Sequence, residues 1–360
     1  MSATDRRRRR RPALVIGGLI AALSLPGLVG AQTQAGPPVG LQQDVRFGRY
    51  SPLATNDELL RRLLTPLQVE LTRRKLAAAG KALAAQSVDL GAERFALYVP
   101  PKAPPGGYGL LVFVPPWPEA RIPPEWLPVL DRYGVIFVTA ARTGNDASVL
   151  GRRIPLAVIE AENVMGRYPV NPQHVYVGGL SGGARMALRV AIAFPELFHG
   201  AFLNAGSDPL GGDGVAVPPR PLLYRFQENT RIATVTGSDD TINVAKDAES
   251  AHALTRWCAY NVVPRTIAFM GHDLAKPDAL SDALGPLQTP PPANPARLEA
   301  CRSALDSDLA KGVRGVQAAV DAGRAGEART MIQALDARFG GFAEDRVVRL
   351  AQDCGCGALP

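Results

Sequence analysis

Val175-Tyr-Val-Gly-Gly-Leu-Ser181-Gly-Gly-Ala-Arg-Met-Ala-Leu188 is the stretch that decides the fold of this chain. Its first residues alternate as in a β-strand, its centre is a Gly-x-Ser-x-Gly motif, and the residues from Ala184 onward have helical composition. This order predicts a strand, a sharp turn and a helix, with Ser181 exposed on a strained turn. Small residues two positions before and after the serine let the strand and the helix pass without a clash. An ordinary strand-to-helix connection is the alternative interpretation.

Composition favours a large globular protein and gives no reason to expect a nucleic-acid partner. The chain has 360 residues, of which 46% are hydrophobic, enough for a large core. Its net charge is +7, but six arginines lie together at residues 6–11. Without them the charge is +1, and without Asp5 as well it is +2. The remaining sequence therefore contains no basic patch.

Residues 1–31 have the three parts of a secretory signal peptide. A basic run is followed by an apolar stretch from Ala13 to Val29 and by the small residues Gly30 and Ala31. A retained membrane anchor is the alternative, but glycine, serine and proline interrupt an apolar run that is short for a bilayer. The sequence thus predicts export to the periplasm or the extracellular space, with no membrane association after the signal is removed.

All four cysteines lie in the C-terminal third, at positions 258, 301, 354 and 356. In an oxidising compartment an even number favours disulfides. A bond between Cys354 and Cys356 would close a very small loop, so we expect the tail to be bonded back to Cys258 or Cys301. Four unpaired thiols are the alternative, and a zinc site lacks nearby histidines.

Apolar runs that indicate buried strands alternate with helical segments through the middle of the chain. This alternation predicts an α/β fold with a mostly parallel sheet covered on both faces, whose sites form at the carboxyl ends of the strands. The predicted strands are residues 94–100, 108–114, 134–140, 175–178, 200–205, 232–236 and 265–270. The predicted organisation is a signal peptide (1–31), a flexible leader and helical prefix (32–92), the α/β domain (93–285), a proline-rich linker (286–295) and a helical appendage (296–360).

A serine nucleophile needs a base, and the base works best when a carboxylate orients it. The chain has four histidines: His174 and His199 precede strands, His252 lies in a predicted helix, and His272 follows the last predicted strand at the correct edge. We therefore predict His272 as the base.

The carboxylate is expected after the strand at 232–236, where Gly-Ser-Asp239-Asp240-Thr follows. We prefer Asp240 to Asp239, and capping of the next helix is the alternative role for either aspartate. The order serine, acid, histidine is the order expected for a serine on this kind of turn.

The serine turn, the Gly-Ser-Asp-Asp-Thr turn and the Gly-His turn together resemble those of secreted α/β-hydrolase esterases of the polyhydroxybutyrate depolymerase and feruloyl esterase type. The resemblance covers residues 93–273. It implies Ser181 as nucleophile, Asp240 as acid and His272 as base, in an enzyme that cleaves carboxylic esters through an acyl-enzyme. It implies neither a metal nor an organic cofactor.

The chain departs from that family at the oxyanion hole. Where the family has a His-Gly turn, this chain has Pro115-Pro116-Trp117-Pro118, and proline has no N–H to donate. We therefore expect Gly182 N–H as one donor and the N–H of Trp117, or of a later residue, as the second, with Trp117 and Leu180 lining the substrate pocket.

Three functions remain open from the sequence. The leading one is an exported serine esterase with a small-molecule or polymeric ester as substrate; the same residues suit a peptidase. The third is a non-catalytic binding protein on the same fold, favoured by the missing His-Gly turn. The sequence does not determine the oligomeric state.

Overall fold

One eight-stranded sheet forms the centre of the protein in the computed structural model, which describes residues 37–212, 214–289 and 294–356. The strands are β1 (Gly40–Val45), β2 (Phe95–Val99), β3 (Tyr108–Val114), β4 (Val135–Ala140), β5 (Val170–Leu180), β6 (Gly200–Asn204), β7 (Arg231–Gly237) and β8 (Val262–Ile267). The helices are α1 (Asn56–Leu63), α2 (Pro66–Ala78), α3 (Leu127–Tyr133), α4 (Ile154–Met165), α5 (Gly182–Ala193), α6 (Arg220–Asn229), α7 (Thr241–Arg256), α8 (Pro277–Gln288), α9 (Pro295–Asp321), α10 (Ala325–Phe339) and α11 (Arg346–Cys354).

The strand order is β1-β2-β4-β3-β5-β6-β7-β8. β2 pairs antiparallel with both β1 and β4, whereas every pair from β4 to β8 is parallel. Because the parallel strands share one direction, their carboxyl ends meet at one edge of the sheet. This is the α/β-hydrolase fold, as the sequence predicts.

The inner strands of the sheet are buried on both faces, which explains their continuous apolar runs. Along β5, Val175 and Val177 pack into one apolar cluster, whereas Tyr176 between them packs into the other. The first cluster contains residues of α4 and α5, and the second contains residues of α3 and α8. Helices therefore cover the sheet on both sides.

The sequence predicts the buried strands well and the edges of the sheet poorly. β3 has the predicted bounds, but β8 begins at Val262, three residues before the prediction. The prediction of a flexible leader is wrong from Gly40 onward, because those residues form the edge strand β1. α8 extends to Gln288, so the first residues of the predicted linker are helical. The predicted signal peptide lies outside the described residues.

The C-terminal helices α9, α10 and α11 contribute to the same core as the sheet. Leu309, Ile332 and Phe339 belong to the apolar cluster that also holds α5. The Phe339 ring lies 5.9 Å from that of Trp257, which follows α7. The predicted helical appendage is thus present and packs onto the α/β region. None of the helices in the described ranges is long and apolar enough to cross a membrane.

The disulfides differ from our expectation for the C-terminal tail. Cys258 bonds to Cys301, and Cys354 bonds to Cys356. The expected bond from the tail to Cys258 or Cys301 is therefore wrong. Gly355 has a φ of +57°, which reverses the chain directly after α11 and brings the Cα atoms of the two flanking cysteines to 5.1 Å.

Replacing both Cys258 and Cys301 with serine is expected to lower the free energy of unfolding by about 4 kcal/mol, because that bond closes a long loop in the unfolded chain. The separation is 43 residues, against 2 for Cys354 and Cys356. The matched double replacement of Cys354 and Cys356 should have a much smaller effect. Urea denaturation measures both, and equal losses would contradict the loop-closure argument.

Glu160→Gln is expected to raise the melting temperature at pH 8 more than at pH 5. The Glu160 side chain is 2% exposed and its Oε1 has no hydrogen-bond partner. Burial raises the pKa of this carboxyl well above its ordinary value. A carboxyl with a raised pKa in the folded protein contributes its full stability only below its pKa in the unfolded chain. That contribution is lost as the pH rises toward its pKa in the folded protein, so glutamine, which does not ionise, should help most at high pH. Thermal unfolding at both pH values measures the effect, and a lower melting temperature at both would contradict it.

Candidate active site

Ser181 lies on the sharp turn that joins β5 to α5. Its backbone has φ +57° and ψ −120°, a conformation rarely adopted by residues other than glycine. A Cβ on Gly183 would lie 1.9 Å from the Val114 carbonyl oxygen, and one on Gly179 would lie 2.3 Å from the Gly183 carbonyl carbon. The predicted strained turn, with small residues on both sides of the serine, is therefore confirmed.

Asp240 and His272 form a hydrogen-bonded pair. His272 Nδ1 lies 2.6 Å from Asp240 Oδ2, with the imidazole 45% exposed and the carboxylate 8% exposed. Asp240 also caps α7, because its carboxylate accepts a hydrogen bond from Asn243 N–H. One aspartate thus has both roles that the sequence left open, and Asp239 is exposed beside Ser238.

The environment of Asp240 keeps its carboxylate charged. Burial raises its pKa, but hydrogen bonds from His272 and Asn243 outweigh burial and hold that pKa below its ordinary value. A carboxylate at Nδ1 favours the tautomer in which Nδ1 carries the proton. Nε2 is then available as a base.

Asn204, at the end of β6, connects the serine turn with the histidine loop. Its carbonyl oxygen accepts a hydrogen bond of 2.8 Å from Ser181 N–H. Its side-chain Nδ2 donates to the Asp273 carbonyl, and its Oδ1 accepts from Ala275 N–H. A single buried residue thus holds both segments at the carboxyl edge of the sheet, the serine turn by its backbone carbonyl and the histidine loop by its side chain. No hydrogen bond joins Ser181 to His272 within the described ranges.

A second connection runs from α5 to the acid. Arg185, one turn after Ser181, donates to Asn243 Oδ1 at 2.8 Å, and Asn243 Nδ2 donates to Asp240 at 2.8 Å. Asp208 accepts from both Arg185 and Arg189. Little in the sequence indicates a role for these residues, apart from the spacing of the two arginines by four residues on one helix.

The Pro115-Pro116-Trp117 turn is fixed by its carbonyl groups. Arg153 Nη2 donates to Pro115 O at 3.1 Å, and Asn145 N–H donates to Pro116 O at 3.1 Å. Arg153 is buried, and burial lowers the pKa of its guanidinium to about 10. In the part of the chain that is described, neither Trp117 N–H nor Gly182 N–H has a hydrogen-bond acceptor. Both remain available as donors.

Trp117 and Leu180 differ in their exposure to solvent. Trp117 is half-buried, its ring contacts that of Phe113 at 6.3 Å, and the Arg121 guanidinium lies 4.5 Å above it. Leu180 is 7% exposed and packs in the apolar cluster beneath the sheet edge. Their place in a substrate pocket stays a prediction.

Other polar groups lie away from this site. His199 immediately precedes β6 and His252 is in α7, as predicted. The prediction that His174 precedes its strand is wrong, because β5 begins at Val170 and contains His174. Among the described residues no group of three or more histidine, cysteine or acidic side chains could hold a metal ion. A cavity of about 860 Å³ lies between α5, α7 and the C-terminal helices, with Arg189 and Trp257 in its wall and without Ser181, Asp240 or His272.

Comparison with protein-family models finds no match. A poly(3-hydroxybutyrate) depolymerase from Ralstonia pickettii is 28% identical over 101 residues, which cover 24% of this chain and 20% of that protein. The chain thus matches about a fifth of the length of this relative.

Solved structures that match part of this chain include esterases and a peptidase. A poly(3-hydroxybutyrate) depolymerase from Bordetella parapertussis has a TM-score of 0.40 and 17% identity, covering 58% of this chain and 88% of its own. A thermostable esterase has a TM-score of 0.37 and 19% identity, covering 59% of each chain. A puromycin-hydrolysing peptidase from Mycobacterium tuberculosis has a TM-score of 0.38 and 16% identity, covering 53% of this chain and 36% of its own.

Asn243→Ala is expected to raise the pKa of the Asp240 carboxyl toward its ordinary value, because the variant removes the amide donor that stabilises the carboxylate. Titration of the side-chain carboxyl by carbon NMR measures the change. Asn163→Ala is the matched control, since its amide bonds to the Arg49 carbonyl instead. An unchanged Asp240 titration in Asn243→Ala would contradict the assignment.

Proposed function

We propose that this protein is an exported serine hydrolase that cleaves carboxylic esters through an acyl-enzyme. Ser181 is the nucleophile, His272 the general base and Asp240 the residue that orients it. The observation that carries the proposal is the 2.6 Å contact between His272 and Asp240, at the sheet edge where Ser181 stands on its strained turn. The signal-like residues 1–31 and the two disulfides support export.

The proposed reaction has two steps, acylation of the serine and hydrolysis of the acyl-enzyme. His272 Nε2 takes the proton of Ser181 as Oγ attacks the ester carbonyl, and the tetrahedral oxyanion accepts hydrogen bonds from Gly182 N–H and Trp117 N–H. His272 then returns the proton to the leaving alcohol, which departs and leaves the acyl-enzyme. Water attacks this ester with His272 again as base, releasing the acid and restoring Ser181.

Several local features support these roles. Gly182 begins α5, a helix of 12 residues, so its free N–H points out at the positive end of the helix dipole. The His272 side chain is 45% exposed and bonds to Asp240 through Nδ1, which leaves Nε2 for the serine and the substrate. Trp117 and Leu180 are the proposed walls of the substrate pocket.

Ser181→Ala is expected to abolish both labelling by a fluorophosphonate probe and hydrolysis of p-nitrophenyl acetate and butyrate. The hydroxyl is the attacking group, so its loss should lower kcat by about 10³-fold or more. Ser303→Ala, an exposed serine on α9, is the matched control and should retain full activity. Folded wild-type protein that takes no label would exclude an enzyme and favour a binding protein on this fold.

A substrate panel separates esterase from peptidase. Feruloyl esters, short acyl esters, hydroxybutyrate oligomers and peptide p-nitroanilides would be compared by kcat/KM. We expect esters to be preferred. Turnover of the anilides alone, lost in Ser181→Ala, would make the peptidase the correct function.

A further inference from the structure

The oxyanion hole has an unusual composition at the Pro115-Pro116-Trp117 turn. Two of the three residues in this turn are prolines, which have no N–H to donate. Removal of one oxyanion donor typically costs ~10²–10³ in rate, so the origin of the donors matters. A donor from another part of the chain would offset the loss, and the loop between β4 and α4 brings one to this place.

Asn145 in that loop lies directly against Gly182, the residue after the proposed nucleophile. A Cβ on Gly182 would lie 2.2 Å from Asn145 Oδ1 and 3.2 Å from its Nδ2. The amide therefore occupies the space that a side chain at position 182 would take. It is next to the N–H that is the first proposed oxyanion donor.

The position of Asn145 is fixed by its backbone and not by its side chain. Its N–H bonds to Pro116 O at 3.1 Å, and neighbouring Gly144 approaches the Trp117 backbone so closely that a Cβ there would be 3.0 Å from the Trp117 carbonyl carbon. Its side-chain amide is exposed and makes no hydrogen bond within the described ranges. A held but unpaired amide donor thus stands at the site.

We propose that Asn145 Nδ2 donates a third hydrogen bond to the oxyanion, in addition to those from Gly182 N–H and Trp117 N–H. This inference rests on the proposed function and adds a catalytic residue to it. Side-chain amides are suitable donors for an oxyanion because they are neutral and carry two N–H groups. The loop after β4 thus supplies a side-chain N–H donor, whereas the two prolines of the turn after β3 have no backbone N–H.

The test compares Asn145→Ala and Asn145→Asp with wild type on p-nitrophenyl butyrate. Both variants remove the donor, and the aspartate also places a negative charge beside the oxyanion. We expect kcat to fall by about 10²-fold or more with little change in KM, because the hydrogen bond strengthens in the transition state. Affinity for an alkyl trifluoromethyl ketone, which forms a tetrahedral oxyanion on the serine, should fall by a similar factor.

Asp146→Ala is the matched control, since it is the next residue of the same exposed loop. It should retain wild-type kcat, and the melting temperature of all three variants should stay within a few degrees of wild type. If the wild-type protein is active and Asn145→Ala has the same kcat, this inference is wrong, whereas the proposed function stands. Wild-type protein that neither reacts with the probe nor hydrolyses the ester would overturn the proposed function, and this inference with it.

Discussion

The backbone conformation of Ser181 is the constraint on which the site depends. A non-glycine residue at φ +57° costs about 1–3 kcal/mol and persists only where its surroundings hold it. Here the surroundings are backbones in close contact: a Cβ on Gly206 would lie 2.5 Å from Ser181 O, and Asn204 O accepts Ser181 N–H. β5, β6 and α5 must therefore meet within a few ångströms, and this contact needs glycine on both sides of the serine.

Buried amides carry out much of the positioning around this turn. Asn204 joins the serine segment to the loop that holds His272, and Asn243 joins the acid to Arg185 on the nucleophile helix. An amide has donors and an acceptor on one rigid plane, so one side chain can connect two backbone segments without adding charge. Neutral amides thus contact Asp240 and the histidine loop directly, and the charged Arg185 binds Asn243 from behind.

The parts of the fold that the sequence predicts are those with a strong local pattern. β3 is a continuous apolar run and has the predicted bounds, and the small residues around Ser181 identify the turn because no larger residue fits there. β1 is short, polar and at the edge, so nothing in its composition distinguishes it from a leader. Along the chain Asn145 is 37 residues from Gly182 and Asn243 is 58 residues from Arg185, and no local spacing reveals such contacts.

The bond between Cys258 and Cys301 joins the end of α7 to α9, and so joins the α/β region covalently to the C-terminal helices. These helices also share its apolar core. A chain cleaved anywhere between the two cysteines therefore remains one covalent molecule until that disulfide is reduced. The reducing power of the surroundings, and not the continuity of the backbone, then determines whether the C-terminal helices stay covalently linked to the sheet.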